Sequence, residues 1–430
     1  MIAPGEAVTD GQTHRGAWTI TALLFVFMLI NFADKTVIGL AAIPIMRELS
    51  LTPKQFGLVG SSFSFLFSFS AILVGFAANR VATRWVLLVL AVSWAVVQFP
   101  MVGTVGIATL VVCRILLGAG EGPAFSVAVH ALYKWFPDEQ RTLPTAVLTQ
   151  GAAFGVIVAL PALNWIIVHY SWHLAFFALG VVGLLWVVAW LLLGREGPIA
   201  APVVPAAGGA ARDHVPYPQL LLNPTFIGCC LAGFGASWAL TLGLTWFTPF
   251  IITGLGYSQQ NAGWISALPW MMGAVVVLAT GSISQTLLAH GASPRTARGV
   301  LGSAPLVLGG LIILIAPHVA DPAWQVALLV IGGGLGGSIY VVCPPIISGI
   351  TPMAQRAATI SIYVAIQSFA GILAPVVTGS VIETAATLLE GYYTGYTITA
   401  LVQLFGGLAG LLLLRPASPK AVLGQRLQRS

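Results

Sequence analysis

The sequence predicts an all-α polytopic membrane protein, with twelve transmembrane helices in two six-helix pseudo-symmetric bundles. Three observations predict it. Of the 430 residues, 58% are hydrophobic and 7% are charged, and the mean hydropathy is +0.94; a soluble protein carries roughly 25% charged residues. The apolar residues gather in runs of about the 20 that a helix needs to cross a bilayer core. The 18 Lys/Arg and 12 Asp/Glu stand almost wholly between those runs. So few charges exclude a soluble enzyme, a disordered chain and a secreted disulfide scaffold.

Residues 1–16 are a polar N-terminal tail. They include Glu6 and Asp10 and lack the basic start of a cleavable signal, so the first span is retained. The first bundle, 17–193, holds spans at 17–40, 55–78, 85–102, 106–132, 143–168 and 174–193. A Pro/Gly/Ala-rich linker, 194–222, separates it from the second bundle, 223–415. Spans there fall at 226–253, 259–287, 299–317, 324–349, 357–382 and 391–414, and 416–430 form a C-terminal tail.

An even number of spans puts both termini on one side. Setting aside Lys35 and Arg114, which lie within spans, 16 basic residues remain. Arg47 and Lys54 fall in the first loop and the other 14 on the opposite side. Lys and Arg collect in cytoplasmic loops. Both termini are therefore expected in the cytoplasm, with the chain in the inner (plasma) membrane and lipid around it. The basic residues are scattered singly, so the net charge of +6 writes topology and implies no nucleic-acid partner.

The chain also repeats. Pro137-Asp-Glu-Gln140-Arg141 is echoed 215 residues later by Pro352-Met-Ala-Gln355-Arg356, and Gly155 and Pro161 have counterparts in Gly371 and Pro375. Parallel six-span halves are how some secondary transporters build a site at their interface.

Four formal charges lie inside spans: Asp34, Lys35, Arg114 and Glu121. Each costs roughly 2.5–3.5 kcal/mol at mid-membrane, and together they sum to zero charge, so mutual pairing is available. Arg114 and Glu121 are two helical turns apart on one face, about 10 Å, while Asn31 shares the face of Lys35 one turn away. Embedded carboxylates beside cations point to proton or substrate sites, with a packing-only ion network as the bland alternative. Lys35 and Arg114 are the docking points for an anion. Arg offers a bidentate fork and Lys only a point charge.

These residues resemble the anion:cation symporter family of the major facilitator superfamily, over about residues 18–415. The motifs are Asp34-Lys35 in the first span, Arg114 with Glu121-Gly122-Pro123-Ala-Phe125, Trp135-Phe136-Pro137 and Arg141. Gly151, Gly155, Trp246-Phe-Thr-Pro249 and Gly291-Ala-Ser-Pro-Arg295-Thr-Ala-Arg298 continue the likeness. The resemblance implies a secondary active transporter that imports an organic anion (a sugar acid, dicarboxylate or aromatic acid) by proton symport through alternating access. Asp34 and Glu121 would couple protons; Lys35 would face substrate, and Arg114 would pair with Glu121 or substrate. Gln150 matches a site-lining position. Gly75, Asn79, Arg80 and Arg84 match the gating loop, although Asn79 replaces the family's acid and Gln285 stands where an acid is common. Phe67 stands where sugar-acid carriers often have Tyr, which favours an apolar or aromatic carboxylate.

In the second half Tyr340, Gln367 and Ser368 are the polar candidates for the site, with simple interhelical hydrogen bonding as the alternative, and Trp246, Trp264 and Trp270 are candidates for further wall. Trp18, Trp85, Trp172 and Trp324 fit an interfacial belt. Cys113, Cys229, Cys230 and Cys343 read as small buried residues, and Gly118–Gly122 and Gly332–Gly337 as close helix packing. No metal, cofactor or enzymatic activity is expected: the sequence has no phosphate-binding loop and no zinc helix. His130 reads as a helix-end residue. The chain is expected to act as a monomer. An antiporter or uniporter on the same fold stays open, and a ligand-binding receptor more remotely.

Overall fold

The computed structural model describes residues 10–78, 81–103, 105–137, 140–199, 215–352 and 355–416. Among these the regular structure is helical, without strands. Twelve helices are long and apolar enough to cross a membrane. They are α1 (Arg15–Leu40), α2 (Pro53–Val74), α3 (Thr83–Val102), α4 (Ile107–Tyr133), α5 (Leu143–His169) and α6 (Trp172–Leu193) in the first half. The second half has α7 (Pro224–Phe247), α8 (Gln259–Ala289), α9 (Arg295–His318), α10 (Pro322–Ile350), α11 (Ala358–Thr384) and α12 (Leu388–Leu413).

Five of the six helix starts on the face away from the termini carry side-chain caps, α4 with Gly106 being the exception, because the first N–H groups of a helix have no partner within it. Thr52 closes a capping box with Gln55 at α2, with Pro53 in the first turn. Ser171, Ser258, Asp321 and Thr387 cap α6, α8, α10 and α12 by accepting from backbone N–H groups of the first turn. On the terminal face, α8 ends in a turn where Gly291 takes φ +83°, a conformation that glycine adopts without strain.

Small residues let helices approach. A Cβ on Gly118 would lie 1.8 Å from the Phe63 carbonyl oxygen and one on Gly122 would lie 2.1 Å from that of Phe67. This presses α4 against α2, the packing expected of the glycine run. α4 breaks at Gly122-Pro123, between Ile107–Glu121 and Ala124–Tyr133, so Glu121 ends the first segment deep in the span. The first-half core packs Phe27 between Trp94 and Trp186, with tilted rings 4.6 and 4.8 Å apart. Cys229, Cys230 and Cys343 are buried in the second-half core, and all four cysteines are free thiols.

The repeat has a geometric counterpart. Arg141 donates from Nε to the Phe136 carbonyl at 3.0 Å, and Arg356 donates from Nε to the Thr351 carbonyl at 3.3 Å, each five residues back. Both arginines therefore tie down the chain end of a preceding span in the same manner.

The halves are joined on the face away from the termini. Asn164 Nδ2 donates to the carbonyls of Gln259 and Gln260 at 2.8 and 3.2 Å, and its Oδ1 accepts from Gln259 Nε2 at 2.9 Å. Gln259 also donates to the Leu40 carbonyl, and the Lys54 amide donates to Glu383. Below these bonds α2 meets α11 backbone to backbone: a Cβ on Gly57 would fall 2.4 Å from the Pro375 carbonyl oxygen.

Candidate functional site

Beneath this closure lies a buried polar cluster on α1 and α4. Asp34 and Glu121 are each 1% exposed and Arg114 is 5% exposed. Lys35 Nζ donates to Asn31 Oδ1 at 2.8 Å and stands 3.5 Å from Glu121 Oε2. Arg114 donates to the Asp34 backbone carbonyl at 3.4 Å, while its Nε has no partner. Both Asp34 oxygens, both Glu121 oxygens and Asn31 Nδ2 also lack hydrogen-bond partners among the described residues. A buried polar atom left unpaired costs about 1–3 kcal/mol, more when charged. The cluster is thus held at a cost that helix packing alone does not require.

Aromatic rings surround the two cations. Lys35 Nζ is 4.3 Å from the Phe32 ring centre, 5.4 Å from that of Phe67 and 6.0 Å from that of Phe63, and the Arg114 guanidinium is 4.8 Å from Phe63. Such contacts contribute up to about 2 kcal/mol when desolvated. Lys35 and Arg114 line a chamber of about 30 Å³ whose far wall is Thr241, Leu244, Thr245, Gly371 and Pro375 of the second half. That is room for one or two water-sized groups.

A second, larger cavity of about 430 Å³ adjoins it and shares Leu244 as a wall. Phe32 and Gln150 line it from the first half, and Trp270, Tyr340 and Tyr396 from the second. Among the described residues no charged side chain lines it. Trp270 meets Phe32 edge to face at 6.0 Å, so the Phe32 ring stands beside both Lys35 and the larger cavity.

Residues 23–343 match the profile of the Major Facilitator Superfamily. The chain belongs to that superfamily. It is 27% identical to the hexuronate transporter of Bacillus subtilis over 413 residues, which cover 92% of this chain and 95% of that protein. It is 24% identical to the D-galactonate transporter of Escherichia coli over 435 residues, 96% of this chain and 98% of that protein. Its fold matches a bacterial homologue of the human lysosomal transporter Spinster with TM-score 0.79 at 18% identity, covering 94% of this chain and 99% of that one. This major facilitator protein is a membrane transporter and not an enzyme, and it is similar to sugar-acid transporters.

In this facilitator the predicted residues divide into three groups. Asn31, Asp34, Lys35, Arg114 and Glu121 come together, with Phe67 beside Lys35. The partner of Glu121 is Lys35, however, and no ion pair joins Glu121 to Arg114 among the described residues. Sharing a face of one helix sets direction, but the α1 lysine reaches the carboxylate first. Gln150 and Tyr340 line the larger cavity, where Tyr340 shares a hydrogen bond of 3.1 Å with Ser237.

The third group lies elsewhere. Gln367 and Ser368 are off the cavity wall; Ser368 donates to the Val364 carbonyl of its own helix. Arg84 donates to Glu196, at the start of the linker, from its backbone and to the Leu191 carbonyl from its side chain, and neither contact reaches the second half. Gly75 lies in the helical extension of α2, whereas Asn79 and Arg80 fall outside the described residues. Of the tryptophans, only Trp270 lines the cavity. Trp246 is buried at the closure, donating to the Pro375 carbonyl at 2.9 Å, and Trp264 is 68% exposed on the outer surface. Trp172 is not in the interfacial belt but buried at 2% exposure, its indole donating to Glu48 at 2.7 Å. The glycines of 332–337 are not all packing residues: Gly333, Gly334, Gly336 and Gly337 line the cavity.

Phe32, Gln98 and Tyr396 were not singled out from sequence. Gln98, a lone amide in the apolar α3, is buried against Asp34 and carried a legible signal. Phe32 and Tyr396 carried none, because an aromatic residue in an apolar helix has no contrast with its neighbours.

Proposed function

We propose that the protein imports an organic anion together with protons by alternating access, as a monomer in the inner membrane with both termini cytoplasmic. The observation that carries this reading is the buried Lys35–Glu121 pair, 3.5 Å apart, with Asp34 and Arg114 beside it at the meeting of the halves. The relatives' sugar-acid substrates support an organic anion, and the 14-to-2 split of basic residues supports the orientation.

Glu121 neutralises Lys35 where the two pair. A proton on Glu121 removes that charge and breaks only one contact, since neither carboxyl oxygen has a hydrogen bond to lose. Lys35 is then free to meet a substrate carboxylate, and Arg114 has unused N–H donors to join it. Asp34 offers a second carboxyl with unbonded oxygens for the same exchange. When the anion leaves, loss of the proton restores the Lys35–Glu121 pair. Binding of anion and proton are thereby linked, as symport requires.

The test is transport into sealed proteoliposomes. Glu121→Gln and Asp34→Asn should each abolish accumulation driven by a pH gradient, and at least one should retain substrate exchange at zero gradient. Wild-type accumulation by both variants would overturn the proton role. Accumulation only when a counter-substrate is supplied inside would replace symport by antiport.

A further inference from the structure

We infer that the anion is an amphipathic monocarboxylate with an apolar body about the size of an aromatic ring or larger, its carboxylate at Lys35 and its body in the cavity of the second half. This rests on the reading that an anion docks at the embedded cations.

The wall of the 430 Å³ cavity decides it. A polyhydroxylated acid needs a hydrogen-bond partner for each hydroxyl it brings out of water, and most hydroxyls of the wall are already engaged. Thr149 donates to the Thr145 carbonyl and Thr399 to that of Gly395. Ser266 is bonded to Thr248 at 2.8 Å, and Tyr340 to Ser237 at 3.1 Å. On this wall Gln150, the Trp270 indole N–H and the buried, unpartnered Tyr396 hydroxyl make no hydrogen bond among the described residues. Thr149 and Thr399 keep only acceptor capacity, so donors for a substrate's hydroxyls are few. Each substrate hydroxyl left unpaired lowers affinity about tenfold or more.

An apolar body meets the opposite situation. Trp270, Phe32 and Phe247 supply aromatic surface. Gly273 and Gly333 supply width: a Cβ on either would meet nothing within 4 Å, so their faces are open space. An apolar cavity of roughly 150 Å³ accommodates benzene, and this one is larger. The two compartments are placed for a molecule with two ends, since Lys35 Nζ lies 4.3 Å from the centre of the Phe32 ring that lines the cavity.

The experiment is calorimetric binding to the purified full-length protein of phenylacetate, propionate, glucuronate and the neutral benzyl alcohol. We expect phenylacetate to bind at least tenfold tighter than glucuronate, and benzyl alcohol to bind weakly. Gly273→Leu, which fills the open space, should weaken phenylacetate at least tenfold and leave propionate within about twofold. Should that variant fail to fold, Gly333→Ala takes its place with a smaller shift of the same pattern. Equal or tighter glucuronate binding, or equal losses for phenylacetate and propionate in the filled variant, overturns the inference. If that glucuronate binding is lost in Lys35→Ala, the anion reading survives and only the apolar body is wrong. If no anion binds, or binding is indifferent to Lys35→Ala, the anion reading itself falls.

Discussion

Arg141 and Arg356 perform the same task at corresponding turns, five residues after the carbonyls they hold, yet at mid-depth the two halves have little chemistry in common. The first half buries Asp34, Lys35, Arg114 and Glu121; the spans of the second half have no Lys, Arg, Asp or Glu at that level. The second half instead has three π-helical turns, at Gly243–Phe247, Phe250–Gly254 and Arg295–Val300, and most of the wall of the large cavity. Such turns are rare and collect at functional sites. A common fold has been divided into a charged half and a shaped half. Every polar contact described for Lys35 and Arg114 is made within the first half, so the halves can separate without breaking an ion pair at the midplane. The face that slides past the charges is threonine, leucine, glycine and proline.

If that division holds, removing first-half charge should harm every anion alike, whereas altering the second-half wall should discriminate by size. Lys35→Ala should weaken binding of all anionic substrates about 100-fold or more, since leaving one partner of a buried pair uncompensated costs about 3–5 kcal/mol. Comparable affinities for wild type and variant, measured by calorimetry, would remove the basis of the comparison.

The next effect tests the seam. Gly57→Val would put a side chain where a Cβ already meets the Pro375 carbonyl oxygen at 2.4 Å, so α2 and α11 could not close. Transport turnover should fall at least tenfold, with substrate affinity changed little. A cysteine introduced at Thr245 should become labelled by an impermeant maleimide from the face away from the termini; unchanged labelling would show that the seam tolerates the wedge.

How much of this was legible follows from contrast. Twelve spans could be read because apolar runs end abruptly at charges and caps, and the structural starts, such as Pro53, Trp172 and Pro224, lie within a few residues of those expected. The four embedded charges stood out for the same reason. What contrast could not supply was partnership. The spacing of Arg114 and Glu121 placed them on one face, but Lys35 from another helix closes on the carboxylate. Nor could composition separate Trp246 at the seam from Trp270 at the cavity and Trp264 on the outer surface, since all three are aromatic residues among apolar ones. The π turns leave no mark in an apolar sequence.

A smaller effect is expected from Asn164→Ala, which removes three hydrogen bonds between the halves. At about 0.5–1.5 kcal/mol each, the closed face should lose about 2 kcal/mol, roughly a 30-fold shift toward separation. Pulsed EPR distances between spin labels at Tyr170 and Ala386 should lengthen or broaden. An unaltered distribution would assign the closure to the glycine contacts alone.

The smallest effect sharpens the comparison on the terminal face, where the halves again solve one problem with different chemistry. In the first half, Glu196 accepts from the backbone amides of Thr83 and Arg84 at 3.2 and 3.1 Å and pairs with Lys134, so a carboxylate caps the start of α3. In the second half, the uncharged Gln355 exchanges two hydrogen bonds with the Val215 backbone, at 3.0 and 2.8 Å. Burial pushes the Glu196 carboxyl up, but hydrogen bonds from Lys134, the Arg84 amide and Thr83 outweigh it and hold the group below the usual carboxylate range. A folded-state value below the unfolded one contributes stability above the unfolded value, near pH 4.3, and that contribution disappears as pH falls through the folded value. Glu196→Gln should therefore lower thermal stability by about 1 kcal/mol or less at pH 7, with the difference from wild type shrinking below about pH 4. Gln355→Ala should destabilise by an amount that does not change over the same range, because an amide does not titrate. Melting curves of both variants from pH 7 down to the limit of stability test this, and a pH-independent deficit in Glu196→Gln would place the weight of the latch on its geometry and not on its charge.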